Sequence, residues 1–157
     1  MYNNNSISWA LGLTALLILS AGSVAANAQQ AHISERALTW TENNDDLQWD
    51  PCPPFLPVGC AIAVLHGDPA RANVDVFFKL PGGSEFANHW HTSAERMVLV
   101  KGELHVTYEG QDEVVLTPGT YAYGPAKLKH HGSCVSVEDC VLFIAFEESL
   151  DAVPVED

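Results

Sequence analysis

The chain has 157 residues, 47% of them hydrophobic and 17% charged, a composition that folds instead of remaining disordered. The length predicts one domain. Seven Lys and Arg face 20 Asp and Glu, a formal charge of −13. That balance excludes the cationic face a nucleic acid needs and disfavours an anionic membrane surface.

Residues Ala10 to Leu19 read ALGLTALLIL, the length of a signal-peptide core. The triplet Ala26-Asn27-Ala28 fits the small-x-small cleavage pattern, so residues 1–28 are expected to be removed. The stretch Ile7 to Ala26 is also about long enough to span a membrane, but Ser20, Ser23 and the glycines make it a poor span. The expectation is an exported protein, periplasmic or secreted, with no membrane association after cleavage.

Residues 29–59 read as an N-terminal arm and a Pro-rich loop, with Ala37–Thr41 as an edge strand. Four cysteines follow: Cys52, Cys60, Cys134 and Cys140. An even count in an exported chain predicts disulfides. Three pairings are open, and the local pairs Cys52–Cys60 and Cys134–Cys140 are favoured. Loops this short are worth about 2–3 kcal/mol each. The spacings are too wide for the tight Cys pairs of a zinc ribbon.

Short β-rich runs separated by turn signals occupy the rest. They are Cys60–Leu65, Val74–Leu80, Phe86–His91, Glu95–Val100, Glu103–Tyr108, Glu113–Leu116, Tyr121–Tyr123, Lys127–Val135 and Val141–Phe146. No segment reads as a helix. So many short strands in one domain predict an all-β jelly roll or closed barrel, with an immunoglobulin-type sandwich as the alternative. The barrel is expected over residues 60–147 and an acidic surface tail over 148–157.

His89-Trp90-His91 closes one strand signal, and Glu95 opens the next. Alternate residues of a strand share a face, so the two imidazoles should point together and Trp90 away. A His pair alone is a weak signal. The added carboxylate and flanking glycines strengthen it.

These residues resemble the cupin superfamily. Its first motif, G-x5-H-x-H-x3,4-E-x6-G, is matched by Gly83, His89, His91, Glu95 and Gly102. Its second, G-x5-P-x-G-x2-H-x3-N, is matched at Gly119, Pro125 and His130. Lys127 stands for the glycine and Cys134 for the asparagine. The resemblance implies a double-stranded β-helix, the jelly-roll cupin barrel, holding one divalent metal through His89, His91, Glu95 and His130. Neutral imidazoles with one carboxylate suit Fe, Mn, Ni, Cu or Zn and not Ca or Mg. Four ligands leave open positions on an octahedral ion but close a tetrahedral zinc.

His131 is a rival to His130, but neighbouring strand residues face opposite ways and the spacing from Pro125 favours His130. Cys134 should face inward, as a disulfide partner or a soft ligand. Lys127 should alter the turn before His130. His32, His66 and His105 read as surface or satisfied residues, and Glu85 as solvated. Trp40, Trp49, Phe77, Phe78, Tyr121 and Tyr123 read mainly as core or interface and secondarily as pocket lining. No nucleophile elbow, phosphate loop or dinucleotide fingerprint is present.

The leading expectation is a metalloenzyme, oxygenase-like or isomerase-like, acting on a small organic molecule, with Glu95 as ligand or catalytic proton acceptor. The alternative is a non-catalytic metal- or ligand-binding sensor, since the compact size resembles the zinc-binding cupin half of some anti-sigma factors. A barrel that lost its metal is the least favoured. A homodimer is implied by the resemblance alone.

Overall fold

A computed structural model describes residues 36–156. The expected signal segment 1–28 and His32 lie outside the described residues. Residues 36–39 belong to one unit and have no regular structure; every strand belongs to a second unit that begins at Trp40. Among the described residues there is no helix.

Eleven strands follow in order: β1 Trp49–Pro51, β2 Ala61–His66, β3 Val74–Leu80, β4 Glu85–Trp90, β5 Glu95–Lys101, β6 Leu104–Tyr108, β7 Val114–Leu116, β8 Tyr121–Gly124, β9 His130–Cys134, β10 Cys140–Phe146 and β11 Val153–Pro154. They form a six-stranded sheet, β1-β2-β3-β10-β5-β8, and a five-stranded sheet, β11-β4-β9-β6-β7. Every pairing is antiparallel. The non-sequential strand order is that of a jelly roll, which removes the immunoglobulin alternative.

The run VLFIAF in β10 is apolar throughout because both faces of this sheet are covered. Leu142, Ile144 and Phe146 point between the sheets with Val74, Val76 and Leu80 of β3 and Leu99 of β5. Val141 and Phe143 point outward with Phe77, where Leu47, Trp40 and Trp49 cover them. The Trp40 indole Nε1–H donates to the Leu65 carbonyl at 3.1 Å. The Trp49 ring lies under the Lys79 ammonium at 4.3 Å. These indoles are therefore outer-face cover and not pocket lining.

The expected edge strand at Ala37–Thr41 does not form. Its end runs into two successive turns, Thr41–Asn44 and Asn44–Leu47, where Asn44 N donates to Thr41 O, Leu47 N to Asn44 O and Asp46 N to the Asn44 side chain. Asn and Asp favour such turns because their side chains replace backbone partners. The edge is built by Trp49–Pro51 instead. The nine other expected strands all appear, with Lys127–Val135 shortened: Lys127 and Leu128 belong to a turn, and β9 runs from His130 to Cys134.

Both local disulfides form, with Cα atoms 5.4 Å apart at Cys52–Cys60 and 5.8 Å apart at Cys134–Cys140. Cys134 does face inward, but its sulfur is tied to Cys140 and does not serve as a soft ligand. Gly102 shows what the last glycine of the first motif is for. Its φ is +85°, and a Cβ there would stand 2.8 Å from Cys140 Sγ and 2.9 Å from Cys140 Cα. A side chain would face both a left-handed backbone and a collision.

The segment expected as an acidic surface tail also differs. Val153 pairs with Trp90 and Pro154 with His89, so the chain end adds a strand beside β4. Proline is tolerated there because β11 is the edge of its sheet.

Candidate metal centre

The strand β4 brings His89 inward, and the chain continues past Trp90 to His91. Glu95 opens β5 in the facing sheet, and His130 opens β9 beside β4. His89 and His130 are register partners, and a bulge between Phe86 and His89 aims the imidazole. All four side chains are buried, at 4–9% exposure, which is unusual for polar residues and demands partners.

Each imidazole is fixed by its Nδ1. That of His89 donates to the Ala87 carbonyl at 2.8 Å, and that of His130 to the Leu128 carbonyl at 3.2 Å. That of His91 donates to the Asp151 carbonyl. This pattern places the Nε2 lone pairs inward. One ligand atom from each imidazole falls within 4.8 Å of the others. Glu95 closes the set, with Oε1 at 3.3 Å from His91 Nε2 and Oε2 at 3.8 Å from His130 Nε2.

The electrostatics suit a cation. Burial, opposed by the Ala87 hydrogen bond and aided by the nearby His91, holds His89 down at about 4. Burial likewise holds His130 at about 3, with His89 adding to the effect. Both are therefore neutral near pH 7 and able to ligate. Burial pushes the Glu95 carboxyl up, against the pull of His91. A metal ion in the set would supply a cation to compensate this buried carboxyl.

Asp151 was missed by sequence reasoning because it lies in the supposed tail. Its carbonyl orients His91, and its side chain accepts from Thr92 N at 2.8 Å and from Thr92 Oγ1 at 2.5 Å. One residue of the chain end thus grips both His91 and the residue after it. No sequence signal marks this, since the key acceptor is a backbone atom.

The turn before His130 holds Lys127 in a conformation that favours glycine. Lys127 has φ 63°, the left-handed conformation a glycine would adopt, and its N–H donates to the His91 carbonyl at 2.8 Å. His131 is exposed, on the face opposite His130. His105 sits outside between Glu103 and Glu113, whose hydrogen bonds push its pKa up. Glu85 is exposed, as expected.

A cavity of about 360 Å³ adjoins the ligand set. Of the aromatic candidates, Phe78 lines it; Phe86, Tyr108 and Phe146 join it, none of them singled out beforehand. Period-2 alternation with Leu104 and Val106 was the available signal for Tyr108. The Tyr108 hydroxyl is buried without a hydrogen-bond partner. It and Glu95 Oε2 stand 2.8 and 3.0 Å from the point a Cβ on Gly124 would occupy. Burial, followed by the Glu95 charge, raises the Tyr108 phenol well above its usual range.

A jelly roll with histidines and a carboxylate gathered between its sheets is a cupin. More narrowly, the chain belongs to the ChrR cupin-like domain family, whose model matches residues 38–149. No curated protein matches it in sequence. Among solved structures it is similar to the DMSP lyase DddQ from Ruegeria pomeroyi, at 18% identity over 80% of this chain and 75% of that one, with a TM-score of 0.62. A chain described with the DMSP lyases RdDddP and RnDddQII gives 14% identity over 70% of this chain, with a TM-score of 0.62. This chain spans 63% of that one's length, just under two thirds. The polyketide cyclase RemF from Streptomyces resistomycificus gives 14% identity over 76% of this chain and 87% of that one, with a TM-score of 0.61. At these identities the likeness is one of fold.

Proposed function

We propose that this protein is an exported, metal-dependent cupin that acts on a small organic molecule, in an oxygenase-like or isomerase-like reaction. Its metal would be one divalent ion (Fe, Mn, Ni, Cu or Zn) held by His89, His91, Glu95 and His130. The observation that carries this reading is the set of three imidazoles, each fastened at Nδ1 to a backbone carbonyl with Nε2 turned inward toward one carboxylate. Such preorganisation is what a metal site requires and what a plain core histidine lacks.

A bound divalent ion would supply Lewis-acid polarisation of a substrate oxygen. The protein supplies the rest. Glu95 would serve as a ligand of that ion or as the acceptor of a proton from a substrate carbon or hydroxyl. The surrounding apolar wall excludes water and strengthens each electrostatic contact. The two disulfides support an oxidising compartment, and no helix among the described residues is long and apolar enough to cross a membrane.

The non-catalytic sensor remains the second reading, favoured by one feature: four protein ligands would close a tetrahedral zinc. Elemental analysis of the protein from its native compartment separates the two. Stoichiometric Fe, Mn, Ni or Cu with oxygen uptake or product formation on a substrate panel is the expected result. Tightly held Zn with no exchangeable water and no turnover would replace the enzyme reading with the sensor.

A further inference from the structure

The walls of the cavity are more informative than its size. Leu56, Ile62, Val76, Phe78, Met97 and Ile144 form most of them, and no Lys or Arg lines the cavity. Tyr108 and Asp151, two of its other polar lining residues, adjoin the ligand set at His130 and His91. Of the two other acids that line it, Asp151 spends both side-chain oxygens on Thr92, and Asp50 is exposed. A sugar or polyol would find too few hydrogen-bond partners on these walls, and a phosphate ester would find no cationic side chain.

Charge narrows the choice. An imidazole that donates from Nδ1 and ligates through Nε2 is neutral. Three of these, one glutamate and one divalent ion sum to a single positive charge. The ligand set thus carries one net positive charge, which one anionic oxygen bound within it would match; the cavity's other charged groups, Asp50 and Asp151, lie outside that set. Resting on the metal-dependent reading above, we propose that the cavity takes a small molecule with an apolar body and one monoanionic oxygen head (carboxylate, enolate or phenolate), the head at the histidine–glutamate end and the body along the aliphatic wall.

The test loads the full mature protein with Co(II) and titrates it with straight-chain carboxylates from acetate to octanoate, octyltrimethylammonium and glucose. The cobalt absorption spectrum reads the head, and calorimetry reads affinity. The expected result is a spectral shift with every carboxylate and affinity that rises by about fourfold for each methylene buried. Octyltrimethylammonium and glucose should leave the spectrum unchanged. Ile62→Asn, a half-buried wall position, should weaken octanoate while leaving acetate and the cobalt content as they were. If cobalt binds but affinity is flat with chain length, or the cation binds as well as octanoate, the ligand class is wrong and the metal reading stands. If no cobalt binds, the metal reading fails and takes the head-group assignment with it.

Discussion

The β4–β5 turn and the chain end beyond Phe146 serve the same imidazole in opposite ways. The turn places His89, His91 and Glu95 within seven residues, so its contribution is local and written as a pattern. The chain end contributes one carbonyl, at Asp151, 60 residues from His91, plus the Thr92 latch that holds it there. The family match ends at residue 149, just short of Asp151. Three of the four candidate ligands thus lie at or beside the turn, and the fourth, His130, opens β9. Ligand orientation is in part a property of a segment whose side chains advertise nothing.

The largest expected effect comes from the turn. His91→Ala removes an imidazole outright, and the variant should retain no stoichiometric metal by elemental analysis after desalting. Full retention would remove His91 from the ligand set. Truncation after Leu150 comes next. It leaves all four side chains but removes the carbonyl that fixes His91, and metal affinity by competition with a chelator should fall about 10- to 100-fold. An unchanged affinity would show that the turn alone orients the ring and would dissolve the comparison.

Asp151→Ala is a finer cut. It keeps the carbonyl and deletes the two hydrogen bonds to Thr92. Each such bond to a charged group is worth about 1.5–3 kcal/mol at most, and this one is solvent-exposed, so a several-fold loss of metal affinity is expected, smaller than for truncation. The smallest effect lies at Lys127, whose left-handed backbone meets His91 from a third direction. Lys127→Gly relieves that strain while loosening the unfolded chain, and thermal unfolding should show a net gain of about 0.5–1 kcal/mol with metal affinity unchanged.

Nine strands were legible because apolar runs between glycines and prolines report burial directly. Ala37–Thr41 was misread because an apolar stretch says nothing about whether a sheet edge is free to receive it. Trp49–Pro51 took that edge, and the two tryptophans covered the outer face. The tail was misread because its charge count pointed to solvent, yet Val153 pairs with Trp90 and Leu150 packs on the core. Phe86 and Tyr108 were passed over because which strand face looks into a cavity depends on the opposite sheet.

The sequence by itself determined the all-β class, favoured the two local disulfides among three pairings, and pointed to four candidate ligands through its resemblance to a known family. Period two marks the strands, short loops favour local cysteine pairs, and the glycine, histidine, glutamate and proline spacings of two motifs carry the resemblance. Only the tertiary structure decided which carbonyls orient the imidazoles, that Lys127 takes a conformation that favours glycine, and that an apolar cavity adjoins the polar set. Those features arise from contacts between residues far apart in the chain, several of them made by backbone atoms that every residue shares, and so no residue type could announce them.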